Sequence, residues 1–194
     1  MPDDSVDRLW AALSGWAADA RADEAGRARA RESWLRRQAA AEATLPGLLV
    51  DLAEREVDVV IDLAAGEHTA RGRVRAVGDD FAVVTTRAGH LCLVAVAAIA
   101  AVRMVGSAWL PEPSGDREPP LTTGLVDALA LLAADRPPVQ LVLMPSGRTV
   151  AGQLVAVGID LVTVQPAGAT AGQRGLPPAA VAVALSAIAS CQVT

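Results

Sequence analysis

This 194-residue chain has no lysine, no asparagine and no tyrosine, one phenylalanine, two histidines and two cysteines. All 17 basic side chains are therefore arginines, and alanine is abundant, a bias that reads as GC-rich coding and warns against assigning a function to every arginine. Cys92 and Cys191 lack a C-x-x-C spacing and sit inside apolar runs, which points to buried thiols and away from a disulfide framework. His90 and Cys92 make a two-residue pair where a metal site needs three or four ligands, and His68 stands apart from them, so no metal or other cofactor is expected. The motifs H-E-x-x-H, G-x-x-x-x-G-K, G-x-S-x-G and G-x-G-x-x-G are all missing, and the expectation is that the chain is not an enzyme. "GDD" at 78–80 is a carboxylate pair only in one of two matched places, the other reading "GID", so it reads as turn chemistry. The longest apolar run, Leu91 to Val102, is too short for the ~20 residues that span a bilayer, and the acidic N-terminus has no apolar core of leader length. With a net charge of −5, the overall basic excess of a nucleic-acid binder is absent too. A cytoplasmic protein with no membrane contact is expected.

What is present is a globular supply of apolar residues, 52% of the chain, and two kinds of local pattern. Residues 1–44 are dense in Ala, Arg, Glu and Leu; Leu9, Trp10, Leu13, Trp16, Ala17 and Ala20 recur at helical steps, and the stripe returns at Trp34 and Leu35. A long amphipathic helix is expected, either continuous or broken near Gly15 or Gly26, and three of the four tryptophans on it predict that its face packs against the rest of the chain or a second copy. From residue 57 the period changes to that of strands: "VDVVIDL", "ARGRVRAV", "FAVVTT", "LCLVAVA" and "AIAAVRM", with Gly and Asp at the turns.

The same series then recurs. Val57 matches Val139, Gly66 matches Gly147, Gly72 matches Gly152, Gly78 matches Gly158, Asp80 matches Asp160 and Ile99 matches Ile188. Five of these separations lie between 80 and 82 residues, and the last widens to 89 across the insertion "AGATAGQRGLPPA". A helical stretch containing Leu-Val-Asp precedes each copy, and "VAVAAIAAV" at 94–102 answers "VALSAIASC" at 183–191. The chain is an internal duplication of a helix plus five strands. The units are residues 45–106 and 121–194, joined by a Pro- and Gly-rich linker at 107–120 in which Trp109 is expected to pin the linker to a neighbouring strand unit.

The stretch "SGRTVAGQLVAVGIDLVTVQ" carries a hairpin glycine, Gly147, a second glycine five residues on, Gly152, and a turn aspartate, Asp160; Gly66, Gly72 and Asp80 are their counterparts. This resembles the first motif of the Sm and Sm-like small barrels. The whole layout resembles an uncharacterised group of tandem Sm-like proteins from high-GC bacteria. The resemblance implies a mainly β fold with α: two tandem five-stranded bent barrels, each preceded by a helix, behind the long N-terminal helix. It also implies assembly through the edges of the fourth and fifth strands. The Sm pocket for uridine uses an asparagine after the turn aspartate and a basic-glycine pair between the last two strands. Ala82, Val162, "VAAIA" and "LSAIA" stand there instead, so the pocket is not carried over.

Two basic groups are the remaining candidates. Arg71, Arg73 and Arg75 alternate along one strand and so share a face, and Arg27 and Arg31 lie on the helix with Arg29, Arg36 and Arg37 close by. Either group suits phosphate or an acidic partner, but the barrels carry no Trp or Tyr for base stacking, and Phe81 falls at a core position. The expected function is a non-enzymatic interaction or scaffold module that binds a protein partner or itself through strand edges or the N-terminal helix. The alternative is an RNA- or DNA-binding regulator contacting phosphates through these arginines.

Overall fold

A computed structural model describes residues 4–106, 110–166 and 179–194. Trp109 and nearly all of the 167–179 insertion lie outside the described residues.

The first element is one uninterrupted helix, α1 (Asp4–Ala41), which passes through Gly15 and Gly26 without a break. Neither glycine meets another atom near where a Cβ would stand, so nothing packs there to force a kink. A second helix, α2 (Leu45–Glu54), starts sharply because Pro46 lies in its first turn and the Thr44 hydroxyl accepts a hydrogen bond from Gly47 N at 3.1 Å.

Five strands follow: β1 (Asp58–Leu63), β2 (Thr69–Val77), β3 (Phe81–Thr86), β4 (Leu91–Ala95) and β5 (Ile99–Met104), the last two joined by a single 3-10 turn over Val96–Ala98. After helix α3 (Leu125–Ala133) the series repeats as β6 (Pro138–Leu143), β7 (Arg148–Val157), β8 (Leu161–Pro166), β9 (Val181–Ala184) and β10 (Ile188–Val193), with a 3-10 turn at the same place before β10. The similar stretches at 94–102 and 183–191 are thus the passage from fourth strand through a 3-10 turn into fifth strand, once per repeat.

The repeats agree in pairing detail. Gly72 stands opposite Thr86 and Gly152 opposite Pro166, and the β2–β3 and β7–β8 ladders both slip by one residue, at Val74/Ala76 and at Leu154/Ala156. The slip is a bulge that bends a long strand. The bent strand lets α2 pack on β2 and α3 pack on β7. Beneath them Leu49, Leu52, Val59, Ile61, Val74 and Val84 in the first repeat, and Leu129, Leu141, Leu154, Val164 and Ile188 in the second, belong to one connected core.

All ten strands form one antiparallel sheet in the order β5-β1-β2-β3-β4-β10-β6-β7-β8-β9. The two five-stranded units are therefore fused edge to edge, with β4 of the first paired to β10 of the second through Val94–Ser190, Leu93–Cys191 and Cys92–Gln192. Among the described residues the sheet is open, ending in β5 on one side and β9 on the other. The mainly β architecture with a helix ahead of each repeat agrees with the sequence reading. Among the described residues, no helix is long and apolar enough to cross a membrane.

Candidate interaction surfaces

The strand β2 alternates exposed and buried positions, which sends Arg71, Arg73 and Arg75 outward together, as their spacing predicts. Their charge is only partly free. Asp58 on β1 accepts from Arg73 Nε at 3.2 Å and from Arg87 at 3.3 Å, and Arg75 lies 3.4 Å from Glu56. Hydrogen bonding from Arg73, with help from Arg87, holds the Asp58 carboxyl below its ordinary range. Asp58, Arg73, Arg75, Thr85, Thr86 and Arg87 line an open depression of about 350 Å³. On the far side of β1, Arg103 of β5 donates two hydrogen bonds to Asp62, at 2.9 and 2.7 Å, and this holds the Asp62 carboxyl low as well. Positions matching Arg71, Arg73 and Arg75 in the second repeat are Ala151, Gln153 and Val155, so the stripe belongs to one repeat only.

Arg71 has no ion-pair partner among the described residues. It reaches instead to the seam between the repeats, where His68, Arg71, Cys92, Gln140, Ser190 and Gln192 border a cavity of about 110 Å³. At this seam the His68 Nε2–H donates to the Gly147 carbonyl at 2.7 Å. The matched hairpin glycines meet here: both hold φ +68°, and a Cβ on Gly66 would stand 3.8 Å from Gly147 Cα. These glycines are needed for the turn conformation, and Gly147 also because a Cβ would come within 2.8 Å of the Ala65 carbonyl oxygen.

The two turn aspartates are matched in backbone and differ in side chain. Asp80 and Asp160 accept hydrogen bonds from Val96 N and Leu185 N through their carbonyls, each at 2.8 Å. Only Asp80 uses its carboxylate as well, capping α3 through Leu125 N.

Residues 110–120 are held more firmly than a linker reading implies. Arg117 forks onto Glu54, at 2.7 and 2.6 Å, and reaches Asp51 at 2.9 Å, while Ser114 N donates to the other Asp51 oxygen at 3.2 Å. Asp51 is buried, which by itself pushes its carboxyl up, but Arg117 and Ser114 outweigh burial and hold it low. Its counterpart Asp127 is exposed. The shared Leu-Val-Asp tripeptide thus serves two purposes, and the sequence signal that could have separated them is the lone Arg117 inside an otherwise acidic and proline-rich stretch.

Helix α1 is exposed along almost its whole length. Trp10, Trp16 and Trp34 are 65%, 67% and 56% exposed, so the rest of the described chain does not cover the face their spacing predicts to be packed. Arg27 and Arg31 lie on this same bare helix.

Cys92 and Cys191 are buried free thiols. No group of three or more His, Cys, Asp or Glu side chains among the described residues is placed to hold a metal ion. No family model, no curated protein and no solved structure matches this chain.

Proposed function

We propose that this chain is a non-enzymatic Sm-like interaction module that assembles with further copies of itself by head-to-tail strand pairing. The observation that carries the reading is the β4–β10 seam. Inside one chain, a fourth strand is paired with a fifth strand of the other repeat, and among the described residues the two unpaired ends of the sheet are again a fifth strand, β5, and a fourth strand, β9. The molecule therefore presents, at opposite ends, the same two edges it has already joined once. Repeating the seam between molecules places Ala182 opposite Val102 of the next copy, the counterpart of Leu93 opposite Cys191. Such heterologous contacts either close into a ring or continue as a filament.

The ends differ in a way that favours this reading. In the first repeat, the turn after β2 is covered by the segment leading into α3, and Phe81 is buried. In the second repeat, Leu161, which matches Phe81, is 41% exposed, and Ile159 in the same turn is 95% exposed. Open strand edges beside bare aliphatic side chains favour pairing with another chain.

The test is oxidative cross-linking of a variant carrying Ala182→Cys and Val102→Cys, with sedimentation of the unmodified protein alongside. Directly opposed strand residues come within disulfide reach, and the native thiols are buried. A ladder of linked species on a non-reducing gel supports the reading, and absence of links in a protein that sediments as a monomer at micromolar concentration overturns it. Salt-sensitive binding of single-stranded RNA by that monomer, lost when Arg71, Arg73 and Arg75 become alanine, would replace it with the nucleic-acid alternative.

A further inference from the structure

Helix α1 spans ~57 Å at 1.5 Å per residue for its 38 residues, and the described chain leaves it bare. Along it Trp16, Ala20, Glu24, Arg27, Arg31 and Trp34 succeed one another at steps of three and four, so they line one face. This face reads the same in outline from either end: an indole, a small or charged centre, an indole. Charge, by contrast, divides the helix into opposite halves. Residues 7–24 carry four acidic and two basic side chains, and residues 25–41 carry five basic and one acidic.

The centre of the helix does not spend this charge on itself. Arg36 pairs with Glu32 at 2.7 Å and with Glu112 at 3.4 Å, whereas Asp19, Asp23, Glu24, Arg27 and Arg31 have no ion-pair partner among the described residues. Nor does the helix dipole account for the division. Dipole stabilisation fades within the first and last turn, and these five charges stand in the middle of the helix.

We propose that α1 pairs antiparallel with α1 of a second copy, about a two-fold axis near residue 25. In that register Trp16 of each copy meets Trp34 of the other, and Asp23 and Glu24 meet Arg27. Acidic halves lie on basic halves at both ends. A parallel pair sets like charges together along its full length and is disfavoured. The exposed indoles supply apolar area, and the charge halves fix direction and register. The proposal deepens the interaction-module reading by naming a second copy as the helix's partner, and it uses a surface separate from the strand edges.

A charge-exchange series tests it by sedimentation equilibrium of the full chain. One variant carries Asp23→Arg with Glu24→Arg, the other Arg27→Glu with Arg31→Glu. Each alone is expected to weaken helix pairing at least tenfold, because the centre of the pair then opposes like charges. An equimolar mixture of the two, and a chain carrying all four changes, are both expected to recover association, a recovery that a misfolded variant would not show. Spin labels in full-length protein read the direction: labels at Ala25→Cys are expected within ~20 Å of each other, and labels at Ala11→Cys ~40 Å apart, from the helical rise. Equal association across the series, or a short distance at both positions, overturns the proposal. Association lost in every variant and in their mixture overturns it as well, since pairing by charge demands the recovery. The 182–102 cross-link is scored in the same variants. A ladder that survives them with no charge effect removes the helix pair alone, and a charge-dependent dimer without any ladder removes the strand-edge reading alone.

Discussion

Asp80 and Leu125 are joined by a 2.6 Å hydrogen bond in which the first backbone N–H of α3 donates to the Asp80 carboxylate. The turn of one repeat thereby caps the helix of the other. Its own N-cap residue, Gly124, has no side chain to do so. Asp80→Ala is expected to cost about 1 kcal/mol of stability, the usual worth of an N-cap carboxylate. Asp160→Ala, at the matched turn, is expected to change little, because its carboxylate caps nothing among the described residues. Urea unfolding of the two variants side by side decides this; equal losses would show that the backbone turn, not the cap, is what either aspartate serves.

The Arg117 fork on Asp51 and Glu54 makes a second prediction, for pH. Arg117 holds both carboxyls below their ordinary values, against the effect of burial on Asp51. In the unfolded chain they take up protons first, near pH ~4. The stabilising contribution is therefore complete above about pH 5 and is lost as pH falls through the lower folded values. Arg117→Ala leaves Asp51 buried without its cation and is expected to cost about 2 kcal/mol at pH 7. The same change should cost far less at pH 3. Stability measured by urea at both values checks it, and a pH-independent loss would mean that Arg117 acts by packing alone.

The duplication, the helix ahead of each repeat, the ten strands and the outward face of Arg71, Arg73 and Arg75 were legible from the sequence, because each rests on a local period or on a glycine at a fixed offset. The seam was not. Nothing in the apolar pattern of Leu91–Ala95 or Ile188–Val193 distinguishes an edge joined within the chain from one left open. The ion pairs of Asp58 and Asp62 were hidden for a related reason: their partners Arg73, Arg87 and Arg103 come from other strands, and register is a property of the folded sheet. Whether α1 runs on through Gly15 and Gly26 was open in the sequence because glycine weakens a helix without having to end it.

Glycines at matched positions make an asymmetric prediction. A Cβ on Gly72 would overlap the Thr85 carbonyl oxygen, and one on Gly152 the Gln165 carbonyl oxygen, so alanine at either is expected to disrupt the bent strand. Gly78 and Gly158 also match, but a Cβ on Gly78 would strike the Phe81 ring and lie 2.6 Å from Thr123 O, whereas on Gly158 it would meet nothing closer than 3.5 Å. Gly78→Ala should therefore lower the melting temperature by several degrees while Gly158→Ala leaves it nearly unchanged. The difference would shrink if the segment before α3 were not packed on the first repeat, and that outcome would also remove the contrast between a covered turn in the first repeat and a bare one in the second.

The two thiols report on the seam itself. Cys92 lies on β4 and Cys191 on β10, one residue apart in the pairing that joins the repeats. Burial pushes the Cys92 thiol up to about 11 and, with the neighbouring Cys92 adding to it, the Cys191 thiol up to about 12. The thiolate is the reactive form, so the folded protein is expected to resist a disulfide reagent at pH 8. If one core holds both repeats, labelling and the loss of circular dichroism should rise together in urea, with both thiols appearing in a single transition. Labelling that precedes unfolding would mean that the seam opens first and that the repeats are separable units. Alkali supplies a check of sign. The unfolded chain ionises its thiols near pH 9, before the folded chain does, so stability should fall as pH climbs from 9 toward 11. Replacing Cys92 with serine removes its share of that slope, and persistence of the full slope would place its origin outside Cys92.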